Sequence, residues 1–455
     1  MKRKALMVRS EGSTHPYVTE AEARKQHSDS PLCNSLFMQK SSLTKRTPHQ
    51  LRPMSHFESH IEQILATLRD EQALRTLTPI ELLEDGRYRA PDDAHPRPLI
   101  NLNSNDYLAL HDATCHFAGE ADLTNSLERL SAKEIGSTSS RLLSGDRAVM
   151  HQLEGLIAES LQHEAALLFN SGYHANVGIL PALKLPGMVV LADKLIHASM
   201  IDGIRLSGLP FERFRHNDVT NLQRLIEKHH SSESCQHIIV MAESIYSMDG
   251  DLAPLEEFVA LKKRYPKVAL YIDEAHAIGV RGAHGYGLCE ELGLLPEIDL
   301  LVGTFGKALG SMGAYVACSE AVRTLLITRS RSLIYSTMLP PLIIQWILAV
   351  WQALPTLTQR RAHLAELQQL LTDELASLPE QLLPTPHSHI IPLLCGSRER
   401  ARAVAQALHE EGYFIRPIMS PTVPVGSERL RISLTAGLTS SDVSRLCQVI
   451  LAHLA

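Results

Sequence analysis

Three residues with complementary chemistry stand close together in the middle of the chain: a carboxylate, Asp273; an imidazole, His276; and an amine, Lys307. Asp273 and His276 follow residues 268–272, a short apolar run rich in β-branched and aromatic residues that suits a buried strand. Open α/β sheets place their ligands at the carboxyl ends of strands, so these two side chains could meet one bound molecule. A second buried strand, 300–302, runs into Thr304, Phe305, Gly306 and Lys307, with glycines at 303, 306, 310 and 313 that allow close backbone approach. A lysine in so apolar a run is desolvated. Desolvation favours the neutral amine, the form that condenses with an aldehyde.

A carboxylate that keeps a pyridinium nitrogen protonated and an amine that holds an aldehyde are what pyridoxal 5'-phosphate requires. The letters DEAH at 273–276 also occur in nucleic-acid helicases, but the phosphate loop G-x-x-x-x-G-K-[ST] that should then lie upstream is missing. Strand-like runs at 165–169, 189–191 and 236–241 alternate with helical patterns, which predicts an α/β fold with a mostly parallel, helix-covered sheet. Residues 170–173 turn the first of these strands into a helix starting around 175, and such a turn leaves backbone N–H groups free for a phosphate. An amphipathic period predicts a helix over 57–77, and another fits 149–162. A helical stretch at 342–375 should break or kink at Pro355. Residues 429–434 read as a strand with Arg429 and Arg431 on one face, and Arg429 also reads as a surface charge. Lys262, Lys263, Arg264 and Lys267 read as a solvated face, and residues 248–251 as a turn without chemistry.

The chain has 455 residues, enough for a large core and two or three domains. A formal net charge of −6 gives no reason to expect nucleic acid or an anionic membrane as partner. No apolar run reaches the roughly 18–20 residues of a spanning helix. Seven cysteines without C-x-x-C pairs argue against a disulfide framework and a zinc site, so a reducing, cytoplasmic setting is expected. Residues 1–53, polar and broken by prolines, read as a disordered extension.

The ordered motifs NSNDYLAL (103–110), FNSGYHANVGIL (169–180), LADKLIHASMIDG (191–203), RFRHNDV (213–219), ESIYSMDGDLAPL (243–255), DEAHAIGVRGAHGYG (273–287), TFGKALG (304–310), LIYSTMLPP (333–341) and PTVPVGSERLRISLTA (421–436) resemble the α-oxoamine synthase family of fold-type I pyridoxal-phosphate enzymes, from Met54 onward. The resemblance implies a helical arm at 54–98, a large cofactor-binding domain at 99–353 and a small C-terminal α/β domain at 354–455. It implies Lys307 as the Schiff-base lysine, Asp273 at the pyridine nitrogen, His197 stacked on the ring and Ser247 beneath it. His276 would bond the phenolic oxygen or the incoming carbonyl, and Gly172, Tyr173 and Thr304 would hold the phosphate. Ser336 and Thr337 would reach the phosphate of a neighbouring subunit, making a homodimer with a shared active site. Arg431 would bind the amino-acid carboxylate, with Arg75 and Asn105 near the substrate, although N-D-Y also reads as an Asx turn. The activity implied is decarboxylative condensation of an amino acid with an acyl thioester. Within the family, the motifs at 333–341 and 421–436 most resemble those of the member that uses L-alanine with a pimeloyl thioester, so the resemblance implies these substrates, carried by coenzyme A or acyl carrier protein, over glycine with acetyl or succinyl and serine with palmitoyl.

Overall fold

The computed structural model describes residues 55–71, 73–83, 86–90, 97–111, 135–384, 386–420 and 422–454. The expected extension at 1–53 lies outside the described residues. The described residues up to 74 and those from 75 onward fall into two compact units. In the first, helix α1 (His56–Asp70) starts on a capping box: the Ser55 hydroxyl accepts from the Glu58 N–H at 3.1 Å, and the Glu58 carboxylate accepts from the Ser55 N–H at 2.7 Å. The helix stops well short of the expected residue 77. The Ala73 and Leu74 N–H groups fold back on the Leu68 carbonyl, at 2.8 and 3.1 Å, and close the last turn before the apolar period runs out.

The second unit opens with a ribbon of β1 (Glu81–Leu82) and β2 (Tyr88–Arg89), followed by β3 (Ile100–Asn101). Its centre is a seven-stranded sheet: β4 (Ala165–Phe169), β5 (Met188–Asp193), β6 (Phe211–Phe214), β7 (His237–Glu243), β8 (Val268–Asp273), β9 (Leu300–Thr304) and β10 (Ala314–Cys318). The order is β4-β10-β9-β8-β7-β5-β6. All neighbours run parallel except β10, which is antiparallel to both β4 and β9. Strands β4, β5, β8, β9 and β10 are buried almost throughout, as sequences that read as continuous Val/Ile/Leu/Ala runs require when helices cover both faces. With β10 reversed, the carboxyl ends of the other six strands share one edge of the sheet. That edge is where the ligand chemistry of an open α/β sheet belongs.

Helix α2 (Ala148–Ser160) covers one face. Helix α3 (Gly172–Leu183) begins three residues earlier than expected, because the Ser171 hydroxyl caps it by accepting from the His174 N–H at 3.2 Å. Helix α4 (Ala198–Ser207) packs on α3. The long helical stretch does break at Pro355: α5 (Pro341–Ala353) and α6 (Thr358–Glu374) are joined by a 3-10 turn, and the two arms meet at 71°. Among the described residues no single helix is long and apolar enough to cross a membrane.

The C-terminal segment holds β11 (Ile390–Leu394), β12 (Tyr413–Phe414), β13 (Pro417–Ile418) and β14 (Arg429–Ser433). β11, β14 and β13 form an antiparallel sheet, while β12 runs parallel to β3. Arg429 is no surface charge: it is buried and paired with Asp249, 180 residues away. The turn that carries Asp249 is therefore structural. Gly250 has φ 69°, and a Cβ there would lie 1.9 Å from the Ile390 carbonyl oxygen, so only glycine lets the turn press against β11. Nor are all the basic residues at 262–267 free in solvent. Lys262 bonds the Glu297 carbonyl and pairs with Asp299, Lys263 pairs with Glu297, and Lys267 bonds the carbonyls of His230 and Ser232.

The other acid of that turn, Asp251, meets His216. The imidazole lies between Asp193 at 2.9 Å and Asp251 at 2.6 Å. Burial works against its charge, but the two carboxylates prevail and raise its pKa from 6.5 to about 10. Because the folded value is the higher one, the stability this strut contributes is complete below pH 6.5 and is lost as pH rises through about 10. The melting temperature of His216→Gln is expected to fall further below the parent at about pH 6 than at about pH 10. Equal losses at both pH values, measured by thermal unfolding, contradict a charged strut.

Candidate active site

Strand register places the acids first. Glu243 and Asp273 are paired neighbours at the ends of β7 and β8, and Asp273 lies opposite Val302 of β9, two residues before Thr304. The chain leaving β9 carries Lys307 and returns as β10, and the Phe305 N–H to Gly313 carbonyl bond at 2.9 Å closes this turn. Gly313, at φ 106°, would bring a Cβ within 2.5 Å of the Leu339 side chain. Helix α3 aims its amino end at the same edge. A cavity of about 180 Å³ results, walled by Gly172, Asn176, His197, Glu243, Asp273, His276, Thr304 and Lys307 among others. Two larger cavities, about 410 and 580 Å³, hold neither Lys307 nor Asp273.

Asp273 is 5 % exposed and accepts two hydrogen bonds, from Asn176 Nδ2 at 2.9 Å and the Ala275 N–H at 2.9 Å. Asn176 is itself oriented, its Oδ1 accepting from the Tyr271 hydroxyl at 2.6 Å. Burial, reinforced by the charge of Asp273, pushes Glu243 up to about 8. Its Oε1 has no hydrogen-bond partner among the described residues. Burial brings Lys307 down to about 8 against the pull of Asp273 and Glu243. The amine lies 2.8 Å from His276 Nε2, and His276 Nδ1 lies 2.7 Å from the Tyr107 hydroxyl. Burial, with the positive charges of Lys307 and Arg431, holds His276 well below 6.5, so the ring is neutral. His197 caps α4 by accepting from the Ser199 N–H at 3.2 Å, and desolvation lowers its pKa as well.

The other expected residues are placed unequally. Arg431 donates to the Ser247 carbonyl, to Ser433 Oγ at 2.6 Å, to Asn105 Oδ1 at 3.3 Å and to the Tyr107 oxygen at 3.2 Å, so Arg431, Asn105 and Ser247 form one cluster joined to Lys307 through Tyr107 and His276. Thr304 Oγ1 already donates to the Gly313 carbonyl at 2.9 Å and braces the turn. Tyr173 lines the cavity while its hydroxyl donates to Asp202 at 2.8 Å. Ser336 and Thr337 do not line the cavity; the Thr337 carbonyl accepts from Asn170 Nδ2 at 2.7 Å. Arg75 is exposed, donates to Thr422 at 2.9 Å and does not line the cavity. Tyr107 was not legible as a site residue. Its motif reads as a turn, and only the fold brings it to His276.

The residues present fit pyridoxal 5'-phosphate. The first N–H groups of α3, at Gly172 and Tyr173, have no intrahelical acceptor, and a Cβ at Gly172 would project toward Thr304, 3.9 Å away, into the space an anion would take. An amine of lowered pKa, a doubly hydrogen-bonded carboxylate and a buried acid with one oxygen unpartnered among the described residues complete the set.

Sheet, helix mouth and buried lysine together define a fold-type I pyridoxal-phosphate enzyme. A model described as "Aminotransferase class I and II" matches residues 97–450, and the chain belongs to this family, within its α-oxoamine synthase branch. The protein named "Putative 8-amino-7-oxononanoate synthase" in Pasteurella multocida is 46% identical over 386 residues, 85% of this chain and 97% of that protein. Its namesake in Haemophilus influenzae is 43% identical over 393 residues, covering 86% and 98%. The serine palmitoyltransferase of S. paucimobilis with a bound PLP–myriocin aldimine superposes with TM-score 0.75 at 26% identity, covering 88% of this chain and 98% of that one. The 8-amino-7-oxononanoate synthase of Francisella tularensis gives 0.63 at 25%, covering 77% and 96%.

The lowered pKa sets how the protein without cofactor captures it. The neutral amine falls about tenfold for each unit below the pKa. The rate at which a borohydride-fixable adduct forms on adding pyridoxal 5'-phosphate is expected to rise with pH through about 8 and then level off. A rate still climbing at the pH of an ordinary lysine contradicts the buried amine.

Proposed function

We propose that the enzyme condenses L-alanine with a pimeloyl thioester of coenzyme A or acyl carrier protein, consuming one proton and releasing 8-amino-7-oxononanoate, CO2 and the free thiol, a step of biotin biosynthesis in the cytoplasm. The observation that carries this reading is the continuous chain Lys307–His276–Tyr107–Arg431, which sets a reactive amine and a carboxylate-binding guanidinium at the two ends of one polar path. The relatives at 43–46% identity, named for 8-amino-7-oxononanoate synthesis, support the reading that this is the product. The likeness to serine palmitoyltransferase supports serine with a palmitoyl thioester as the second reading, at the lower identity of 26%.

Bound pyridoxal 5'-phosphate supplies an aldehyde for an amine and a ring that draws electrons from the carbon next to it. Gly172 and Tyr173 would hold its phosphate through the amino end of α3, and Asp273 would hold the proton on its ring nitrogen. His197 would lie on the ring face, with Ser247 on the other side. Arg431 holds the amino-acid carboxylate. Its present acceptors are mostly neutral oxygens, and a carboxylate replaces them with shorter, charge-assisted bonds. Lys307, with a pKa near 8, takes the proton from the amino-acid α-carbon and later returns one to the product. His276, neutral, steadies the amine. Ser336 and Thr337 face the partner's site in a homodimer, and Arg75 and Asn105 flank the substrates.

Absorbance spectroscopy tests the core of this reading. The parent is expected to show a cofactor band that borohydride fixes and that responds chiefly to L-alanine rather than glycine or L-serine, and Lys307→Ala should lose the fixation. A response chiefly to serine moves the enzyme to the second reading, and absence of any band marks a catalytically silent subunit. Arg431→Lys, which keeps the charge and loses the fork, is expected to raise the KM for alanine about 10- to 100-fold, the worth of one or two charged hydrogen bonds. An unchanged KM removes Arg431 from the substrate site.

A further inference from the structure

Tyr107 is fully buried where four polar groups meet, and no step above assigns it a task. Its hydroxyl lies 2.7 Å from His276 Nδ1, 2.9 Å from Asn105 Oδ1 and 3.2 Å from Arg431 Nη2, and the edge of His389 packs on its ring at 4.0 Å between centroids. A phenol has one proton to give. Arg431 only donates, so the Tyr107 oxygen accepts from it, and the Asn105 atom 3.3 Å from Arg431 Nη2 must be the amide oxygen. That oxygen can only accept, so the Tyr107 proton points to Asn105. The remaining contact, to His276, then has the imidazole as donor. Nδ1 carries the hydrogen, and Nε2 faces the Lys307 amine bare, at 2.8 Å.

We propose that Tyr107 is a positioning residue that sets the tautomer of His276, holding the hydrogen on Nδ1 so that Nε2 accepts from Lys307. The inference rests on the reading of Lys307 as the reactive amine. A bare Nε2 favours the ammonium form of Lys307, whereas an Nε2–H would favour the free amine. Tyr107 thus keeps the amine able to hold a proton that burial alone would strip from it. The same phenol accepts from Arg431, so the guanidinium read as the carboxylate holder and the amine that moves the proton share one hydrogen-bond arrangement. Asp273, Glu243, Arg431 and His276 surround Lys307, and Lys307, Arg431, His389 and His197 surround His276; the hydroxyl of Tyr107 can be removed without altering any of them.

The full chain without cofactor, labelled with ¹⁵N-histidine and assigned with His276→Asn, reads the tautomer directly. The parent is expected to show a pyrrole-type Nδ1 and a pyridine-type Nε2. Tyr107→Phe and Asn105→Ala should both move the hydrogen toward Nε2, the first by removing the acceptor and the second by freeing the Tyr107 proton for Nδ1. In both, the pH midpoint of cofactor capture should fall by about 1 unit. Asn105→Ala keeps the phenol and decides the matter if Tyr107→Phe does not fold. An Nε2–H in the parent, or an unchanged tautomer and midpoint in the folded variants, overturns the inference. The nitrogen spectra need no cofactor, so they decide it apart from the borohydride test of Lys307→Ala, which judges the proposed reaction.

Discussion

An amine and two carboxylates share a cavity of about 180 Å³ at the edge of a buried sheet, and the rest of the structure answers to the cost of keeping them there. Removing one member of a buried ionic group costs about 3–5 kcal/mol, because a charge is left behind without its partner. Asp273 is kept in place by hydrogen bonds to both oxygens, and the donors are themselves locked, Asn176 by Tyr271 and the Ala275 amide by the turn after β8. The neighbouring Glu274 faces the opposite way and is treated as carefully. It is fully buried and accepts from Ser244 Oγ at 3.0 Å and from the N–H groups of Leu288 and Cys289 at 2.9 and 2.7 Å. One acid of the pair shapes the site, and the other ties the Gly-rich loop to the sheet.

The electrostatics explain why the amine titrates near pH 8. Burial alone would discharge Lys307, and the two acids pull the other way. Glu243, raised to a similar value, loses its charge over the same pH range in which Lys307 gains one. His276 takes no part in that balance as a charge. It is neutral and serves as a hydrogen-bond partner between the amine and the phenol.

Much of this was legible in the sequence, and the misses have physical causes. Five strands of the main sheet, β4, β5, β7, β8 and β9, read clearly because they are buried almost throughout, whereas β6, largely exposed, and the reversed β10 were not picked out; Asp273, His276 and Lys307 stood out because polar residues at the ends of such strands have few structural excuses. The break at Pro355 followed from its missing N–H. Helix α1 was overextended because the apolar period continues past the point where the Leu68 carbonyl closes the turn. Arg429 was misread, and the turn at 248–251 undervalued, because the Asp249 that holds Arg429 is 180 residues distant. Tyr107 escaped for the same reason. Its partners His276 and Arg431 lie 169 and 324 residues along the chain, and no local pattern points to them.

The reversed strand β10 has a consequence for the order in which the protein can be made. β4 and β9 carry opposite walls of the cavity, and in the sheet they lie on either side of β10 rather than paired with each other. On the ribosome, β4, which leads into Gly172, can therefore join the strands that carry Asp273 and Lys307 only once β10, ending at Cys318, has emerged. Arg431 arrives more than a hundred residues later still, on a separate small sheet. Loop closures this long are slow, and they leave strand edges open meanwhile. Birth of the protein thus has two stages: the cavity at the edge of the large sheet closes first, and the strand that carries Arg431 is added to a cavity that already exists.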